Sequence, residues 1–297
     1  MPTLNDLIDE TLGMVRGYTR TTEQSTHLAS SVTSSGTTMT VGDASRLTHG
    51  VCEVDSEMIF IDSVDTTTNI ATIAPYGRGF NNTTAAAHTS NTRVIMNPIF
   101  PRKQVKDAIN NTLLSLRGYL YGTATTNFSF NAAVEAYSLP STTNTVARVE
   151  WKDVGPSKSY LRVRGWRFNP NADTDMFPTG KTIEIYDGVT PGQRVQVWCT
   201  TDIQTMANDS DDFVTVTSLP ESCRDLVTIG AASRLMSTVD AYSLDTFNAE
   251  ASVIAGKTPQ GSAANISKYL YSLFVQRRTD EVGLQSTNTP ISTHWSR

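Results

Sequence analysis

Apolar residues return every third or fourth position in five stretches of this chain, and every second position in two regions between them, so helical and extended segments separate cleanly. Leu4, Leu7, Ile8, Leu12 and Val15 share one helical face, with the Thr3 hydroxyl placed to cap the Asn5 or Asp6 amide and Asp6 favourable at the positive end. Val105, Ala108, Ile109, Thr112, Leu113, Leu116 and Leu120 predict a second helix over 101–121, ended by Gly122. A third starts at Leu219, tolerates Pro220 and Glu221 in its first turn, and buries Leu226, Ile229, Ala232, Leu235 and Met236. Leu244, Phe247, Ala251 and Ile254 mark a fourth that stops at Gly256, before Pro259. The last begins near Ser262 and aligns Ile266, Tyr269, Leu270, Leu273 and Phe274; beyond about Leu284 periodicity is lost and an extended tail is expected.

Between Gly17 and Met96 the pattern shortens to period two: 38–41, 51–54, 58–64, 69–73 and 93–96 read as short strands of a small barrel or sandwich. A second strand-rich region, 123–217, holds Trp151, Trp166 and Trp198, with alternating runs at 147–151, 160–168, 183–186 and 195–200 separated by Gly, Pro and Asn turns, as in a β-sandwich. The strand-rich regions interrupt the helices in sequence. The expected fold is therefore α+β, a helical bundle core with two inserted all-β modules and an extended C-terminal tail. Its divisions are 1–22 (first core helix), 23–98 (small β module), 99–122 (second core helix), 123–217 (tryptophan-rich β-sandwich), 218–284 (C-terminal core helices) and 285–297 (tail). Val15-Arg-Gly-Tyr18 and Leu116-Arg-Gly-Tyr119 end the first two helical stretches with a short echo.

Composition narrows the function. At 297 residues the chain is long enough for two or three compact units. Its 24 Lys and Arg against 29 Asp and Glu leave a net charge of -5, which argues against a protein that grips nucleic acid by its phosphates. About a quarter of the residues are Ser or Thr, above ordinary globular usage, and only 18% are charged, a surface that suits extracellular or virion proteins. Cys52, Cys199 and Cys223 are odd in number and widely spaced, which fits reduced, structural thiols better than a disulfide framework or a zinc site. No signal-like apolar run follows Met1-Pro-Thr-Leu-Asn-Asp6 and no window reaches the length of a membrane span, so a soluble protein made in the cytoplasm, without a membrane partner, is expected.

Catalytic patterns are thin. Gly77-Arg78-Gly79 does not pass from a strand directly into a helix, as a phosphate loop must, and reads as a tight turn followed by an Asn- and Thr-rich loop. Asn171, Asp173 and Asp175 alternate like the start of a calcium loop, but Met176 stands where glycine is needed and Thr182 where the bidentate Glu belongs. Asn208 to Asp212 reads as a turn before a strand at Phe213. His27, His49, His88 and His294 all lie in polar, loop-like context away from any nucleophile elbow or metal pair; His88 reads as a hydrogen-bonding anchor for its loop. Neither an enzyme nor a cofactor or metal site is expected. Trp151, Tyr160, Trp166, Phe168, Phe177, Tyr186 and Trp198 read as core aromatics, with a sugar-stacking face as the alternative. Pro290, Ile291, His294 and Trp295 carry apolar and aromatic groups into an aperiodic terminus that has no core of its own, a fair docking segment for a partner.

Arg78-Gly-Phe-Asn-Asn-Thr-Thr-Ala-Ala-Ala-His88, Val94 and the run Asn97-Pro-Ile-Phe-Pro-Arg-Lys-Gln-Val-Lys-Asp-Ala-Ile-Asn-Asn-Thr-Leu113 resemble head-to-tail connector (adaptor) proteins of tailed bacteriophages. Leu219-Pro-Glu-Ser-Cys-Arg-Asp-Leu-Val-Thr-Ile-Gly-Ala-Ala-Ser-Arg-Leu235 resembles the Leu-Pro start of their C-terminal helix pair, whereas 123–217 has no counterpart. The resemblance implies a virion protein at the neck, assembled in the host cytoplasm into a homo-oligomeric ring, usually a dodecamer. That ring lies between the portal protein and a downstream tail or stopper protein, and genomic DNA passes through its lumen without sequence-specific binding. Pro290, Ile291, His294 and Trp295 would then reach the portal, and Arg78, Phe80, Asn81, Asn82 and His88 would form a subunit-contact loop. The alternatives are another tail or baseplate protein whose tryptophan-rich module binds host glycan, and a hydrolase, which requires a triad or clustered carboxylates.

Overall fold

A computed structural model describes residues 2–18, 23–153, 159–186, 188–238 and 262–288. The chain divides into two compact units: Asp6–Ile109 with Thr228–Leu270, called here the six-stranded unit, and Met1–Asn5, Asn110–Val227 and Tyr271–Arg297, the two-sheet unit.

In the six-stranded unit, β1 (Gln24–His27), β2 (Thr38–Thr40), β3 (Gly50–Val54), β4 (Glu57–Asp65), β5 (Ile70–Ile73) and β6 (Arg93–Met96) form one sheet in the order β1-β6-β3-β4-β5-β2. Its core collects Leu28, Met39, Cys52, Ile59, Ile61, Ala71, Val94 and Met96. β3 and β4 join through a two-residue turn, Val54 opposite Glu57, with Asp55 at φ 51°. α1 (Leu4–Arg16) and α2 (Arg102–Leu116) bury the stripes that their spacing marks, from Leu7 to Val15 and from Val105 to Leu116. Arg102 of α2 reaches Asp9 of α1 at 2.7 Å.

The two-sheet unit holds β7 (Gly122–Ser129), β8 (Ala136–Ser138), β9 (Thr143–Lys152), β10 (Tyr160–Arg162), β11 (Trp166–Asn169), β12 (Thr182–Ile185) and β13 (Arg194–Thr201). One sheet runs β10-β9-β13-β7 and the other β11-β12-β8; Val149, Val195, Val197 and Cys199 of the first meet Trp166 and Ile183 of the second. α3 (Phe213–Thr217), α4 (224–238) and α5 (Ser262–Asn288) are the remaining helices among the described residues. Arg277 of α5 clamps Asp225 at 2.7 Å, and Glu281 accepts from Ser222 at 3.0 Å.

The helical bundle core with inserted β modules is not the architecture. The protein is mixed α/β and mostly sheet, with five α-helices among the described residues. The helical stripes are real, but a stripe states only that a face is covered, and sheets build much of this interior. Local differences have similar causes. α2 stops at Leu116 rather than Tyr121, because the chain turns back at Gly118 (φ 89°) and Leu120 returns its amide to the Leu116 carbonyl. Gly122 instead opens β7, where an added Cβ would lie 2.6 Å from the Thr201 hydroxyl. Phe213 starts a short helix rather than a strand, since the Asp212 carboxylate caps the Thr215 amide at 2.8 Å. Strands β1, β7 and β8 are rich in Ser, Thr and Asn and lack a clear apolar alternation. The helix expected over 244–254 lies outside the described residues.

Candidate functional site

The most densely bonded polar cluster is built around Glu57, the first residue of β4. Glu57 shares a strand face with Ile59 and Ile61 and is 1% exposed, so its carboxylate enters the interior beside core side chains. The loop after β5 returns to meet it. Phe60 donates its amide to Gly77 at 2.8 Å and Phe80 donates to Met58 at 2.8 Å, which lays 77–80 along β4. Further on, His88 and Val32 exchange both backbone hydrogen bonds, at 2.8 and 2.9 Å, closing the loop.

Five donors converge on the carboxylate. Oε1 accepts from Arg78 Nε at 2.8 Å and the Gly79 amide at 2.9 Å; Oε2 accepts from Arg78 Nη2 at 2.9 Å, the Ala86 amide at 3.0 Å and His88 Nε2 at 2.8 Å. Burial by itself would raise the Glu57 pKa, but the hydrogen bonds from Arg78, Ala86, Gly79 and His88 outweigh it and hold the group down at about 2. The other nitrogen of His88, Nδ1, meets Asp55 Oδ2 at 2.8 Å. A carboxylate on each nitrogen favours the charged, doubly donating form of the ring: Asp55 first, and then Glu57, raise its pKa against the opposing effect of burial. Arg78 also donates to the carbonyls of Thr33, Gly36 and Ala86, tying three parts of the loop system to one guanidinium.

This arrangement is a clasp. The lone pairs of Glu57 are occupied, Arg78 is committed in full, and both nitrogens of His88 are engaged. Of the residues assigned to a subunit-contact loop, Arg78 and His88 therefore point inward. Phe80 is half-buried against Phe60, ring centroids 5.3 Å apart. Asn81 and Asn82 are exposed at φ 53° and 61°. The most prominent side chain nearby is Tyr76, 99% exposed, which the sequence did not mark. Pro290, Ile291, His294 and Trp295 lie outside the described residues. Glu57 and Asp55 were also missed, although an acid on the core-facing parity of a strand is a legible sign of a buried partner.

Other candidates resolve locally. Asp173 caps the Asp175 amide at 3.0 Å in a turn, and no group of three metal-type ligands occurs among the described residues. Trp166 is in the core, Trp151 and Phe168 pack against it, and Arg148 lies over the Trp198 ring at 4.3 Å. His27 fills the space over Gly42 and His49 stands edge-on to Phe60. Burial pushes the Cys52 and Cys223 thiols up to about 12, well away from nucleophilic thiolates. No described helix is long and apolar enough to cross a membrane. The chain matches no protein-family model, and no curated protein is similar enough to count as a relative.

Proposed function

We propose that this chain is a structural, non-enzymatic virion protein: a head-to-tail adaptor that assembles as a ring between a portal and a tail, with DNA passing through its lumen. The observation that carries the reading is the Glu57 clasp. Arg78 and His88, two residues of the segment that carries the adaptor resemblance, are consumed in holding Glu57, while Tyr76, Asn81, Asn82 and the stretches 84–87 and 89–91 face outward. A part that transmits force between neighbours needs such a stiff loop with an exposed rim, whereas an enzyme needs an unsatisfied acid or base. The net charge of -5 agrees with a lumen that does not hold DNA. Ring closure requires each copy to present two different, complementary faces.

The test is assembly on isolated portal rings, read by mass and by electron microscopy. The expected result is a fixed number of copies per portal, seated as a ring on its tail-side face. A chain that binds neither portal nor tail proteins would end this reading.

A further inference from the structure

The β10-β9-β13-β7 sheet ends in two strands with complementary properties. At one side lies β7, Gly-Thr-Ala-Thr-Thr-Asn-Phe-Ser, eight residues without a charge or a proline to guard the edge. Phe130 directs its amide and carbonyl toward β13, bonding Gln193 and Gly192 at 2.8 and 2.7 Å. By the alternation of an antiparallel ladder, Thr125, Asn127 and Ser129 direct theirs away from β13, and no described backbone group meets them. At the other side β10 presents two exposed apolar side chains, Tyr160 and Leu161, each 42% exposed. Val163 donates to Val149 and Ser159 accepts from Asp153 across β9, so the backbone of Tyr160 faces outward.

We propose that β7 of one copy pairs with β10 of the next, joining the four-stranded sheets of neighbouring copies into one continuous antiparallel sheet. This rests on the ring reading and supplies its interface. Four alternating strands make β7 and β10 run in opposite directions, so placing β10 beside the next copy's β7 continues the alternation. The faces match as well. The register puts Leu161 opposite Trp151, Trp151 opposite Val195 and Val195 opposite Phe128, all on the core side of the sheet. The joint sets Leu161 near Phe128 of the neighbour on that side and Tyr160 near Asn127 and Ser129 on the other. The contact is head-to-tail, the kind that closes rings.

Oxidative cross-linking of the full chain assembled on portal rings tests the joint. Asn127→Cys or Ser129→Cys is combined with Tyr160→Cys, the partners for the two registers that keep Leu161 beside Phe128. Within one copy these positions are three strand spacings apart, roughly 14 Å, beyond the roughly 7 Å a disulfide spans between Cα atoms. The three native cysteines are buried. The expected result is a ladder of dimers, trimers and higher multimers that collapses on reduction, while each single-cysteine variant stays monomeric on a gel. A full complement of copies on the portal with no ladder from either pair overturns the joint and leaves the adaptor reading standing. Dimers from Asn127→Cys alone would mean two-fold pairing of β7 with itself, which also overturns it. If wild-type protein joins neither portal nor its own copies, both readings fall together. Melting of each reduced variant at the wild-type temperature shows that a missing ladder does not come from misfolding.

Discussion

Glu57 and Glu53 lie four residues apart, both buried, and respond to pH in opposite directions. Glu57 is held at about 2, below its ordinary 4.5, so the stability it confers is present above 4.5 and is lost as pH falls through about 2. Glu53 is 3% exposed; burial raises it to about 7, against the opposing hydrogen bond from the Arg102 amide at the start of α2. A raised carboxyl holds its proton in the folded state where the unfolded chain has lost it. Stability therefore falls as pH rises from 4.5 through about 7. We expect Glu53→Gln, which keeps an acceptor for the Arg102 amide, to stabilise the protein at pH 8 by up to about 3 kcal/mol and to change little at pH 4, as measured by urea unfolding. Glu57→Ala leaves Arg78 and His88 buried without their shared anion and should cost about 3–5 kcal/mol at neutral pH in the same assay. His88 reinforces the pattern: its raised pKa contributes stability below its ordinary 6.5 that disappears as pH rises through the folded value. His88 and Arg78 were visible in the sequence because they stand out in a loop of Asn, Thr and Ala. Their common acceptor was hidden among the residues of a strand.

At the scale of elements, two glycines separate local propensity from packing. Gly13 lies on the exposed face of α1 with nothing within 4 Å of an added Cβ, so only helix propensity decides, and Gly13→Ala should stabilise by about 0.5–1 kcal/mol. Gly77 is buried in the turn that starts the clasp loop, where a Cβ would stand 2.6 Å from the Phe60 carbonyl oxygen and 2.8 Å from that of Ala74. Both are backbone atoms that the β4 pairing holds, so Gly77→Ala should destabilise by about 2 kcal/mol or more. Thermal melting of the two variants beside wild type checks both signs. The same contrast explains which elements were legible. The stripes of α1 and α2 and the apolar runs of β3, β4, β6 and β13 announce themselves through period. β7 opens the expected strand-rich region but shows no strand run of its own, because its Thr and Asn residues carry no apolar alternation, and it is a strand through its ladder with β13.

For the whole molecule, the proposed role makes the segment 289–297 dispensable for folding and necessary for docking. Deleting it should leave the melting temperature within about 2 °C of wild type, as the proposed role assigns the segment to the portal rather than to this chain's core. It should also abolish capture on immobilised portal rings; unchanged capture would remove Pro290, Ile291, His294 and Trp295 from the interface. Much of the helix and strand content and the turn chemistry follow from residue order, because period and turn preference are properties of neighbours in the chain. The architecture does not follow in that way. A buried face is equally satisfied by a helix or by a sheet, and that choice, which made this a mostly β protein rather than a helical bundle, depends on contacts between residues far apart in sequence. The clasp is the same case on a small scale: Glu57 meets Arg78 across 21 positions and His88 across 31, distances over which no local pattern carries information.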